Sequence, residues 1–180
     1  MNINIFCTKI KIVDNFLTNE EIKQVLNLIS KTKQQDHNEF VGEHSSSHYS
    51  YNNIIENTVI EKKINKEILK YCADCSISLQ KIISSWINIQ KKDSILKMHN
   101  HHPVEVSGAV WLKTDDKSSN LVFENPNPFL KNKSMEECFT VKPAQGFLIL
   151  FPGWLLHGSN YQKNKSKERI VLSFNCQEIQ

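Results

Sequence analysis

Three of the chain's seven histidines fall within four positions, in the stretch KMHNHHP from Lys97 to Pro103. Imidazoles crowded in this way either hold a metal or form one polar turn. In an extended segment, His99 and His101 occupy positions i and i+2 and point to one face. Their backbones are then about 6–7 Å apart, close enough for both rings to converge on one ion. His102 points the other way and opens a turn with Pro103. A third ligand has to come from a neighbouring strand. The candidate is His157 in GFLILFPGWLLHGSN, where a buried strand over Gly146 to Phe151 ends in Pro152-Gly153. A lone histidine there is more often a core or surface residue, but coupled to His-x-His it becomes the missing vertex. Three ligands on one face of an octahedral metal leave three positions open, as oxygen-activating iron requires.

Arg169 is the second chemical element. Every one of the 22 basic residues except this one is lysine. Lysine, asparagine and isoleucine are heavily used, as when codons are pushed towards A and T. An arginine kept against that pressure does what lysine does less well, such as a two-point grip on a carboxylate. It stands twelve residues after His157, in RIVLSFN. A hairpin of that length returns it beside the metal, where it could hold the far carboxylate of a dicarboxylate whose other end chelates iron. Val171, Ser173 and Asn175 share its face.

These side chains need strands to carry them, and the sequence supplies seven after residue 83: IISSWINIQ, SILKMH, VEVSGAVWLK, SNLVFEN, CFTVKP, GFLILF and RIVLSFN. Turn formers separate them, which argues for a β-sandwich or jelly roll. Upstream, residues 2–12 read as a strand. Thr18 and Glu21 form a capping box for a helix over 19–32, with Ile22, Val25, Leu26 and Ile29 at helical spacing. Residues 33–52 read as a long loop and candidate substrate lid carrying His44, His48, Tyr49 and Tyr51. A second helix fits about 54–81, with Ile54, Val59, Ile64, Ile68, Leu69 and Cys72 on its apolar side. The expected fold class is α+β: a double-stranded β-helix, or jelly roll, with two N-terminal helices packed on one face. One domain spans 1–180, with a lead-in over 1–82 and a β-rich catalytic core over 83–180.

Bulk properties agree with a globular chain: 180 residues, 39% hydrophobic and 23% charged. A net charge of +3, evenly scattered, argues against a nucleic-acid partner. No apolar run is long enough for a membrane helix, and the first residues lack the plan of a signal peptide, so the expected location is cytoplasmic. The five cysteines read as free thiols in a reducing compartment, with the Cys72/Cys75 pair structural.

The ordered set of motifs resembles the non-haem iron, 2-oxoglutarate-dependent oxygenases. In particular it resembles a bacterial and phage family of 2OG-Fe(II) oxygenases. The resemblance is carried by Trp86 and Asn88, His99 and His101, Ser107-Gly108, Phe151-Pro152 with His157, and Arg169 with Phe174-Asn175. The stretch VDNFLTNEEIKQVL also resembles the helical lead-in of prolyl-4-hydroxylase-like members. The resemblance implies Fe(II), 2-oxoglutarate and O2 as cofactor and cosubstrates, with His99 and His157 as iron ligands. His101 stands where most of the superfamily has aspartate, which makes three neutral ligands and removes a negative charge. Arg169 would bind the C5 carboxylate of 2-oxoglutarate, with Asn88 and Asn175 as further candidates for the cosubstrate pocket. A tyrosine usual near Trp111 is absent. The implied reaction is hydroxylation of a small molecule or protein side chain, with release of succinate and CO2.

Two other readings fit part of the pattern. His99, His101, Glu105 and His157 match a cupin-type metal site, although Trp154 replaces an expected glycine and Arg169 has no task there. The histidines could also merely stabilise a non-catalytic jelly-roll binding module, since that fold hosts many functions.

Overall fold

The computed structural model describes residues 7–50, 52–127 and 137–179. The lead-in comprises β1 (Lys11–Val13), α1 (Asn19–Leu26), β2 (Phe40–Val41), β3 (His44–Ser46) and α2 (Val59–Cys75). Then follow β4 (Gln80–Lys91), β5 (Ile95–Leu96), β6 (Val106–Lys113), β7 (Leu121–Glu124), β8 (Cys138–Val141), β9 (Leu148–Pro152), β10 (His157–Gly158) and β11 (Glu168–Glu178). All seven expected strand regions contain strand. Of the expected strand over 2–12, the described residues form strand from Lys11, while residues 2–6 lie outside the described part, as does Tyr51.

The expected capping box opens α1. Thr18 Oγ1 accepts from the Glu21 N–H at 3.2 Å, and the Glu21 carboxylate accepts from the Thr18 N–H at 2.8 Å. The helix stops at Leu26, short of 32, and a 3-10 turn covers Ile29–Lys31. Ser30 and Thr32 there turn their hydroxyls onto the carbonyls of Asn27 and Ile29, competing with the helical ladder. Helix α2 is shorter than expected because Thr58 caps it, accepting from the Glu61 N–H at 3.1 Å, and Ser76 ends it in the left-handed conformation. Its buried stripe is Ile60, Ile64, Ile68, Tyr71 and Cys72. Val59 and Leu69, expected inside, are 68% and 44% exposed.

The main sheet has the order β1-β9-β6-β11-β4-β3, and a smaller one the order β10-β7-β8. The strand ladders are antiparallel. Both faces of the main sheet are covered, which explains why β6 and β9 read as continuous apolar runs. Val106, Val110, Leu148, Leu150 and Leu172 join a core with the two helices. Their alternate neighbours Ala109, Trp111, Ile149, Phe151 and Val171 join a second core with Leu121 and Phe123 of the small sheet. The side-chain period of two therefore sorts each strand into a helix-facing and an inward-facing set. The 33–52 segment is not a free loop. Its β3 extends the main sheet beside β4, and β2 pairs with β5. No helix among the described residues is long and apolar enough to cross a membrane.

Gly108 lies where β6 passes under the aromatic ring of Phe174. A β-carbon there would sit 2.3 Å from Phe174 Cζ and 2.8 Å from the Ile149 carbonyl oxygen. Gly108→Ala is expected to destabilise the protein by about 1–3 kcal/mol. Urea denaturation checks this, and an unchanged midpoint would contradict the packing described.

Candidate metal centre and cosubstrate pocket

His99 and His101 do not lie in a regular strand. They follow β5 in an extended segment held by main-chain bonds to the region 153–159. The His99 and His157 backbones exchange two hydrogen bonds of 2.9 Å, and the His101 N–H donates to the Gly153 carbonyl at 2.7 Å. Gly158 permits the approach, since a β-carbon there would stand 2.5 Å from the Lys97 carbonyl oxygen. A turn closed by the Val104 N–H on the His101 carbonyl follows. The His102–Pro103 peptide bond is cis.

This backbone arrangement brings three imidazoles together. The potential ligand atoms of His99, His101 and His157 all lie within 4.8 Å of one another. Ring centroids are 4.4 Å apart for His99 and His157, and 5.1 Å for each pair with His101. Nδ1 of His157 faces the Leu155 carbonyl at 2.7 Å, and Nδ1 of His99 faces that of Lys97 at 2.9 Å. A carbonyl only accepts, so these nitrogens donate and each Nε2 keeps its lone pair for a metal. Carbonyl partners of this kind commonly orient ligating histidines. The donor set therefore fits a divalent transition metal.

The same cavity is lined by Arg169, Asn88, Gln90, Trp111 and Ser173. The register sets the inward residues of β4 against those of β11, with Gln90 opposite Arg169 and Asn88 opposite Val171. Arg169 is 4% exposed. Its Nη1 donates to the Gln90 side-chain oxygen, its guanidinium lies 5.8 Å from the Trp111 ring centroid, and its buried Nε has no partner. Among the described residues, no carboxylate forms an ion pair with it. Burial lowers its pKa to about 10, so it stays charged at neutral pH. An unpaired buried cation is costly, and a bound anion would neutralise it.

Asn88 lines the cavity while accepting from Ser46 Oγ at 2.7 Å and donating to Ser173 Oγ at 3.2 Å. Asn175 is not among the cavity-lining residues; its side-chain oxygen accepts from Ser107 Oγ at 2.9 Å. Glu105 does not join the histidines. The turn after His101 breaks the alternation that would have aimed it inward, and its carboxylate accepts from Gln80. The cupin ligand set is thus not assembled. In the presumed lid, His44 is tied at both nitrogens, accepting from the His37 N–H and facing the Gly42 carbonyl. His48, His37 and Tyr49 pack together, and His48 also packs on Trp86. Two site residues escape a sequence reading, Gln90 and Glu39. Gln90 shares the parity of Trp86 and Asn88, and that signal could have found it. Glu39 lines the cavity with its carboxylate 3.3 Å from His99 Nε2, and no local pattern marks it.

A sequence profile of the 2OG-Fe(II) oxygenase family matches residues 84–175, more than half of the chain. The chain belongs to the 2OG-Fe(II) oxygenase family. That family uses Fe(II), 2-oxoglutarate and O2, and the cavity of this chain holds three converging imidazoles and a buried guanidinium. Solved structures share the fold at low identity. HygX from Streptomyces hygroscopicus, with nickel and 2-oxoglutarate bound, aligns with a TM-score of 0.67 and 10% identity over 95% of this chain and 83% of its own. The viral collagen prolyl hydroxylase of Paramecium Bursaria Chlorella virus-1, in complex with 2OG, gives 0.64 and 16% over 94% and 96%. A Pseudomonas putida prolyl-4-hydroxylase gives 0.69 and 10% over 96% and 94%. The 2OG-Fe(II) oxygenase fold here is mostly sheet with two helices, as expected.

Burial, and then the neighbouring histidines, push the pKa of His101 down to about 3 and that of His37 to about 4; His157 is held well below its usual range for the same reasons. In the unfolded chain these groups titrate near 6.5. Between pH 6.5 and about 4 the unfolded state therefore binds more protons than the native one. Stability is present above 6.5 and is lost as pH falls. The metal-free protein should show a lower urea midpoint at pH 5 than at pH 7.5, and equal midpoints would contradict neutral buried imidazoles.

Proposed function

We propose that this chain is an Fe(II)- and 2-oxoglutarate-dependent hydroxylase with its metal held by His99, His101 and His157. Arg169 binds the far carboxylate of 2-oxoglutarate in the same cavity. The observation that carries this reading is the buried guanidinium with an orphaned Nε, in one cavity with three converging imidazoles. The two sheets with their inward-facing core form the jelly roll of this reading, as one domain over 1–180. When bound, the iron and cosubstrate activate O2, coupling decarboxylation to succinate and CO2 with hydroxylation of a C–H bond.

The chain's own residues prepare that chemistry. The Lys97 and Leu155 carbonyls hold His99 and His157 in the tautomer that offers Nε2. Gln90 and the Trp111 ring fix the guanidinium before any anion arrives, so little ordering cost remains at binding. Phe151 packs on His157 with centroids 4.6 Å apart, and Leu121 and Val171 line the cavity, excluding water from one side. Asn88, held by Ser46 and Ser173, presents a fixed polar edge to the cosubstrate. Asn175 acts at most through Ser107. The substrate is a small molecule or a protein side chain; a lead-in resembling that of prolyl-4-hydroxylases does not choose between them. The thiols of Cys72, Cys75 and Cys176, which form no disulfide, suit a reducing, cytoplasmic setting.

Anaerobic titration tests the assignment. Fe(II) protein given 2-oxoglutarate should develop a weak visible charge-transfer band. His157→Ala should lose iron and the band. Arg169→Lys should retain iron but weaken 2-oxoglutarate about 10–100-fold, or roughly 1.4–2.8 kcal/mol, because an ammonium lacks the planar two-point grip. If both variants decarboxylate 2-oxoglutarate at the parental rate, the assignment of these residues is wrong.

A further inference from the structure

Burial leaves two nitrogen donors of the cavity without an acceptor among the described residues, and they sit on neighbouring side chains. One is Arg169 Nε; the other is the indole Nε1 of Trp111. Both residues line the cavity, and Trp111 is 0% exposed. The sheet register brings them together. Trp111 pairs with Val171 across the β6–β11 ladder, beside the register shift that skips Leu112. Arg169 lies two positions from Val171, on the same face. The guanidinium thus comes to 5.8 Å from the indole ring centroid. Backbone and ring of Trp111 are both held. Its N–H donates to the Phe147 carbonyl at 3.1 Å, and its carbonyl accepts from the Gly146 N–H at 2.8 Å. Its ring packs on Phe147 with centroids 6.3 Å apart, within the inward-facing core.

An indole N–H can only donate. Left unpaired in a buried place it costs about 1–3 kcal/mol, and native proteins keep few such groups. The polar residues around it are already engaged: Asn88 bonds to Ser46 and Ser173, and Gln90 to the guanidinium. The missing acceptor is therefore a ligand's. A water would answer one N–H but not the buried positive charge beside it. A carboxylate brings two acceptor oxygens and a negative charge, enough for both nitrogens and the cation at once.

We propose that the Trp111 indole N–H is a second donor to the carboxylate that Arg169 holds, and that the pair makes the cavity selective for keto acids carrying a second carboxylate. This rests on the reading of Arg169 as the anchor of the cosubstrate. The guanidinium supplies charge and the indole supplies direction. A keto acid ending in a methyl group leaves both donors buried and unpaired, and that penalty discriminates more strongly than a lost apolar contact.

Pyruvate is the probe that lacks the far carboxylate, and zinc(II), which has no redox chemistry, gives a diamagnetic protein that does not turn over. Nitrogen-labelled zinc(II) protein shows one indole N–H signal for each of its three tryptophans. Trp86→Phe, Trp111→Phe and Trp154→Phe assign them, any two sufficing. Saturating 2-oxoglutarate should move the Trp111 proton downfield as a hydrogen bond to a carboxylate forms, and pyruvate should leave it in place. By calorimetry, Trp111→Phe, which keeps a ring and loses the donor, should weaken 2-oxoglutarate about tenfold or more and leave pyruvate unchanged. A Trp111 signal unmoved by 2-oxoglutarate, one moved equally by pyruvate, or parental affinity in folded Trp111→Phe would overturn this inference alone. If Arg169→Lys binds 2-oxoglutarate as the parent does, or the zinc(II) parent does not bind it, the anchor reading beneath fails.

Discussion

The two main-chain hydrogen bonds exchanged by His99 and His157 are the constraint on which the site depends. They extend into a continuous seam. The Ser159 N–H donates to the Leu96 carbonyl at 2.9 Å, Ser159 Oγ accepts from the Leu96 N–H at 3.1 Å, and His101 bonds to Gly153. The imidazoles converge because their backbones are laced together and because Gly158 lets the strands close up. A seam of this kind fixes the three imidazoles through their backbones.

Adjacent residues of β11 carry opposite charges to opposite sides of the sheet. Glu168 points outward, paired with Lys91 and Lys113, whose hydrogen bonds lower its carboxyl pKa. Arg169, one position on, points inward and, among the described residues, meets an amide oxygen and an indole face. The first arrangement completes itself. The second has an unmet partner, and the cost of keeping it is set against the apolar core on the other face of the same strands.

Much of this was legible in the sequence. His-x-His, the distal histidine and the solitary arginine are marked by type and spacing, and the structure brings all four side chains to one cavity. The capping box at Thr18 and the short strands are local signals, and they appear where expected. The failures have two causes, one local and one not. The ends of α1 and α2 were set by hydroxyls bonding nearby carbonyls and by Thr58, which apolar periodicity does not report. Glu105 was given inward parity by counting, but the turn after His101 resets the count. Glu39 enters through the pairing of two-residue strands, β2 and β5, too short to leave a pattern. What depends on non-local backbone pairing is not written in any window of the chain.

The two faces of the main sheet divide the work. On β4 and β11, the helix-facing residues Ile87, Ile170, Leu172, Phe174 and Cys176 are apolar and belong to one core. The inward positions of the same strands carry Asn88, Gln90, Arg169 and Ser173, which line the cavity. Polar groups in such a place oppose folding unless each finds a partner. Asn88 and Gln90 find theirs; among the described residues, the guanidinium Nε does not. The same space is lined by this cation and by the three imidazoles. The fold thus leaves one unpartnered guanidinium nitrogen in a cavity that it shares with three imidazoles.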